Sequence, residues 1–119
     1  MTTGKPTWPS SRDDGSISVV ARFETDESAL DHVRSRLEEW VAEQRRLGRK
    51  LDDDLALPPT LGVLDTRHIE ILIEARPGAR AWKDWLVAVS SELTAIDGVR
   101  LEGFLDRVSG VFRPANQGP

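Results

Sequence analysis

H-I-E-I-L-I-E-A-R, His68–Arg76, is the stretch from which the fold of this chain is read. Ile69, Ile71, Ile73 and Ala75 fall on one side of an extended backbone, and His68, Glu70, Leu72, Glu74 and Arg76 on the other. That alternation predicts a half-buried strand with an oily inner face. Its outer face is charged, with a single leucine at the centre.

A second alternation precedes it. Ile17, Val19, Ala21 and Phe23 share one face of Ile17–Glu24, while Ser18, Val20, Arg22 and Glu24 share the other. Again one hydrophobe, Val20, sits among polar neighbours. Thr25-Asp26-Glu27 then reads as a helix N-terminus, and Leu30, Val33, Leu37, Trp40 and Val41 follow on one helical stripe. Arg45, Arg46 and Gly48 close that helix, predicted over Asp26–Leu47. Lys50–Pro59 is an irregular connection holding Asp52-Asp53-Asp54 and Pro58-Pro59, and Thr60–Leu64 is a short strand that the prolines confine to an edge. After Pro77-Gly78 come Trp82, Trp85, Leu86, Val89, Leu93 and Ile96, the apolar face of a helix that stops at Asp97-Gly98. Val99–Val108 is the last strand, and Gly103 within it is a candidate bulge that would reverse the facing of the residues after it.

Strand, helix, short strand, long strand, helix, strand is the order of the ferredoxin-like βαββαβ plan, an α+β two-layer sandwich with both helices on one face of an antiparallel sheet. Residues 16–112 form that domain; residues 1–15 and 113–119 read as flexible tails. Trp8 is the one sticky group of the first tail, either packing loosely on the domain or serving as a recognition peptide. The stretch V-V-A-R-F-E-T-D-E, Val19–Glu27, resembles the first strand and helix of small dimeric α/β-barrel-type proteins that include antibiotic-biosynthesis monooxygenases. No catalytic motif accompanies that resemblance.

Composition narrows the function. A chain of 119 residues, 39% apolar and 30% charged, has the make-up of one soluble domain. Its net charge of −4, with both signs interspersed, argues against a nucleic-acid partner. No apolar run is long enough to span a bilayer, the first residues carry no signal-peptide core, and the chain lacks cysteine; a cytoplasmic protein with no membrane partner is expected. Arginine outnumbers lysine, the usage of a GC-rich genome. Phosphate-loop, dinucleotide, zinc-protease and serine-nucleophile motifs are all missing, so no cofactor and no metal centre are expected.

The candidate residues fall into three groups. On the sheet face opposite the helices, Val20 and Leu72, with Phe104 beside them if Gly103 does not bulge, would form an apolar strip framed by charges that include Arg22 and Glu70. The leading expectation is therefore an accessory or regulatory protein, not an enzyme, that binds a protein partner or a second copy of itself through this face. The alternative is a small-molecule-binding protein or cofactor-independent enzyme. His68 and Glu70, two apart on one strand face, would then supply acid–base chemistry, with Trp82 and Trp85 lining a pocket between helices and sheet. Arg76, Arg80 and Lys83 around the start of the second long helix form a candidate anion site. The acidic triplet Asp52–Asp54 is most simply a solvated turn, and His32 an exposed residue opposite its helix's apolar stripe.

Overall fold

In the computed structural model, which describes residues 8–119, the two alternating stretches are adjacent antiparallel strands, β1 (Ile17–Thr25) and β3 (His68–Ala75). Between them the chain forms a 3-10 turn at Glu27–Ala29, helix α1 (Leu30–Arg46), the single turn α2 (Leu51–Asp54) and strand β2 (Thr60–Val63). Helix α3 (Trp82–Thr94), β4 (Val99–Asp106) and a short β5 (Phe112–Pro114) follow. The result is a mixed α+β fold with one antiparallel five-stranded sheet in the order β2-β3-β1-β4-β5. Among the described residues, no helix is long and apolar enough to cross a membrane.

The inner alternation becomes the core. Val19, Ala21 and Phe23 of β1, all four inward residues of β3, and Val99 and Phe104 of β4 join Val33, Leu37 and Trp40 of α1 and Leu86, Val89 and Leu93 of α3. Burying a side chain of this size contributes about 1.5–3 kcal/mol. Trp40 and Trp85 meet edge to face, with ring centroids 5.9 Å apart, which locks the two long helices together. Trp85 also donates its indole N–H to Asp54 at 2.8 Å, tying α2 against α3.

The helix expected from Asp26 begins instead as the 3-10 turn, with no side-chain capping bond, and α1 itself starts at Leu30. Asp26 is the extended residue before the first turn, and its carbonyl accepts the Ala29 N–H. Gly48, at φ +70°, lets the chain leave the helix: its N–H donates to the Arg45 carbonyl, and that of Arg49 to Gln44. Those two bonds form a Schellman ending.

Two segments do more than their composition suggests. Residues 1–7 of the expected N-terminal tail lie outside the described residues, but from Trp8 on the chain is tied to the far end of the sheet. Trp8 donates its indole N–H to the Val111 carbonyl at 3.0 Å and stacks under the Arg113 guanidinium. Next to it, the Ser10 N–H donates to Asp106, a fully buried carboxylate that also accepts the Val108 N–H and the Ser109 hydroxyl. Burial alone would push this carboxyl up; the Ser109 hydroxyl and the Ser10 and Val108 amides outweigh it and hold it below the ordinary range. At the other terminus, Phe112–Pro114 pairs with β4 where the sequence suggests a polar tail from Arg113.

Gly103 decides the shape of β4. Arg22 stands opposite Gly103, but its neighbour Phe23 stands opposite Leu101, so Glu102 is an extra residue in the strand. Phe104 consequently turns toward the helices and is buried, and Leu105 takes the outward position expected for it. A Cβ on Gly103 would collide with the Arg113 carbonyl and the Phe112 ring. Gly103→Ala is therefore expected to destabilise the fold by about 1–3 kcal/mol, as read from urea unfolding followed by tryptophan fluorescence.

Candidate functional site

The register across the uncovered sheet face lays its side chains out in rows. Thr60, Leu72, Val20, Leu105 and Phe112 are successive partners, one from each strand. Four of the five are apolar and adjacent. Val20 is only 2% exposed although it lies outside the helix-side core, whereas Phe112 is 42% exposed. Val20 and Leu72 line a shallow depression of about 170 Å³ with Leu61, Glu70 and Arg107.

Charged rows border this stripe on both sides. On one side Arg22 faces Glu70, with Nε 3.7 Å from the carboxylate, and that buried Nε has no hydrogen-bond partner among the described residues. On the other side Glu74 accepts hydrogen bonds from Arg12 at 2.9 Å, from the Ser18 hydroxyl at 2.6 Å and from Arg107 at 3.3 Å. Desolvation would raise the Glu74 carboxyl; Arg12, Ser18 and Arg107 together overcome it and hold the group below its ordinary value.

Beyond the Arg22–Glu70 row lies a polar cluster. Glu24 is the cross-strand partner of His68 on one side and Arg100 on the other, and it is ion-paired with Arg100 and, at 3.6 Å, with Arg67. Glu102, the extra residue of the bulge, brings a carboxylate oxygen to 3.8 Å from His68 Nε2. Ligand atoms of Glu24, His68 and Glu102 all lie within 4.8 Å of one another. His68 Nδ1 lies 2.9 and 3.0 Å from the two carboxylate oxygens of Asp65. Asp65 is held below the ordinary carboxylate value, first by the Arg67 backbone N–H and then by His68.

The sequence candidates are thus regrouped. Val20, Leu72, Arg22 and Glu70 share the uncovered face, while Phe104 lies in the core for the reason given above. His68 and Glu70 share that face but belong to different rows, since residues two apart on a strand stand about 7 Å apart and cross-strand neighbours about 5 Å. Trp82 and Trp85 are buried on the helix side, across the sheet from His68, so they share no pocket with it. Arg76 spends its guanidinium on the Asp52 carbonyl at 3.0 Å, and among the described residues Arg80 and Lys83 make no ion pair. The acidic triplet is dispersed: Asp52 pairs with Arg45, and Asp54 accepts from Trp85. Sequence reading missed Leu105 and Phe112 in the stripe and Glu24 beside His68; alternation put Glu102 on the same face as His68 without pairing the two, and the Gly103 bulge was the available signal for Leu105.

Comparison with protein-family models, curated proteins and solved structures finds no match for this chain. The resemblance of Val19–Glu27 to small dimeric barrel proteins therefore assigns no family.

Glu74 gives the face a measurable pH dependence. Its folded-state pKa lies below its unfolded one, so its stabilisation is complete above the ordinary carboxylate value and is lost as pH falls through the lowered one. Glu74→Gln is expected to cost about 2 kcal/mol at neutral pH, and to lose less stability than the wild type on acidification. Urea unfolding of both proteins across the acid range checks this.

Proposed function

We propose that this protein acts without catalysis, through protein contact made by the uncovered sheet face, and that the partner is a second copy of the chain. The observation that carries the reading is the transverse row Leu72–Val20–Leu105–Phe112, four adjacent apolar side chains on four adjacent strands with no helix over them. A stripe of that kind is an interface feature more often than scattered surface hydrophobes are. Its charged borders carry both signs, Arg22 and Arg107 against Glu70 and Glu74, so a two-fold arrangement can bring unlike charges together. We further infer a ferredoxin-like βαββαβ plan with β5 appended at the edge; the order β2-β3-β1-β4 and its antiparallel pairing support this.

Leu72→Asp and Leu105→Asp each place a charge in the stripe without entering the helix-side core. Both are expected to convert a wild-type dimer to a folded monomer in light scattering coupled to size exclusion. A wild type that stays monomeric at millimolar concentration refutes the self-association.

A second reading, a small-molecule-binding protein, rests on a different place. Leu37 and Val41 of α1 and Pro58, Pro59 and Leu61 beside β2 line an open groove of about 430 Å³, rimmed by Arg34, Glu38 and Arg45. That is the size and apolar character of a small-ligand site. An apolar fluorescent probe whose binding is removed by Val41→Asp supports this reading, and a probe that does not bind sinks it.

A further inference from the structure

We propose that Glu24, His68 and Glu102 form a site for one borderline divalent cation of the Zn²⁺, Co²⁺ and Ni²⁺ type, with water completing its coordination. One imidazole nitrogen and two carboxylates approach one another from three adjacent strands, with ligand atoms within 4.8 Å of each other. An imidazole nitrogen among carboxylate oxygens suits these ions better than Mg²⁺ or Ca²⁺, which prefer oxygen throughout.

Two features separate this group from an ordinary patch of surface acids. The first is the orientation of the imidazole. Asp65, ionised and able only to accept, faces Nδ1 with both its oxygens. The Nδ1 proton is therefore held there, and in the neutral ring Nε2 is left as a lone pair facing Glu102. A carboxylate on the far nitrogen is the arrangement that orients metal-binding histidines. The second is the bulge. Glu102 has no Cα partner on β1, and this extra residue carries the second carboxylate toward His68 from two strands away. The Nε2 lone pair and the Glu102 oxygen are both acceptors, 3.8 Å apart, a spacing at which one cation can take both as ligands.

The flanking arginines set the competition. Arg100 and Arg67 already neutralise Glu24, and their side chains are 64% and 66% exposed, so both can swing into solvent when an ion takes the carboxylate. His68 and Glu102 are themselves more than a third exposed, which leaves the ion a direct route from water.

The test uses the full chain, free of any affinity tag, with Zn²⁺ alone as the calorimetric titrant and Co²⁺ as a spectroscopic probe. One equivalent is expected to bind, and Co²⁺ is expected to develop visible ligand-field absorption. His68→Ala should abolish both signals. Glu102→Gln and Asp65→Asn should each weaken binding about tenfold, and His32→Ala should leave it unchanged. Circular dichroism confirms that each variant is folded, as substitutions at half-exposed positions allow. Absence of binding at millimolar Zn²⁺ overturns the proposal. Binding that survives His68→Ala overturns it equally, because the ion then sits elsewhere.

Discussion

The pairing of β1 with β3 is the constraint on which the other features depend. Its register runs without interruption from Ile17 against Ala75 to Glu24 against His68. Side chains alternate with a period of two, so a slip of one residue would carry Ile69, Ile71 and Ile73 into water and bring Glu70 and Glu74 into the core. The penalty for burying those carboxylates without partners makes the alternative register inaccessible. The same pairing places Val20 beside Leu72, Arg22 beside Glu70 and Glu24 beside His68. The composition of the outer face is thus a by-product of the register that makes the inner one oil.

On the other flank of β1 the register is broken once, and the break has opposite effects above and below it. Before the bulge Leu101 faces the core side, as simple alternation predicts. After it Phe104 does, and Leu105 joins the outer stripe. Gly103 accommodates this because the Phe112 ring and the Arg113 backbone occupy the space a side chain would need. The bulge therefore fills the core with an aromatic ring, docks β5 and places Glu102 beside His68. A regular strand would do none of these together.

The parts of the fold legible in the sequence are those written in periodicity. β1 and β3 alternate over eight residues or more, α1 and α3 repeat an apolar stripe over several turns, and the inward residues of β3 are all in the core. β5 was not legible because it is three residues long and its pairing is carried by backbone groups opposite a glycine and its neighbours. The anchoring of Trp8 and Ser10 was hidden for a related reason. Their partners, the Val111 carbonyl and the Asp106 carboxylate, lie about a hundred positions away and leave no local pattern. The site was half legible. His68, Arg22, Glu70, Val20 and Leu72 can be assigned to one face by alternation alone. Which of them touch is a cross-strand question, and intrastrand spacing suggested Glu70 for His68 where the sheet supplies Glu24 and Glu102.

The stripe and the polar cluster share one face but not one chemistry. The Arg22–Glu70 row stands between them, and its charges are matched within the row. Val20, at 2% exposure, is already shielded by its neighbours, so an approaching surface gains less from Val20 than from the flanks, Leu72, Leu105 and Phe112. Apolar gain on docking scales with area still exposed, which puts the weight of any contact on the β4–β5 side, where Val108 and Val111 are exposed as well. The cluster at the other end gains nothing from apolar contact. Its free acceptors, His68 Nε2 and a Glu102 oxygen 3.8 Å apart, suit a donor or a cation. A side chain carried in by a protein docked on the stripe would desolvate His68 and Glu102 as it met them, a cost that a small hydrated cation reduces by keeping part of its water.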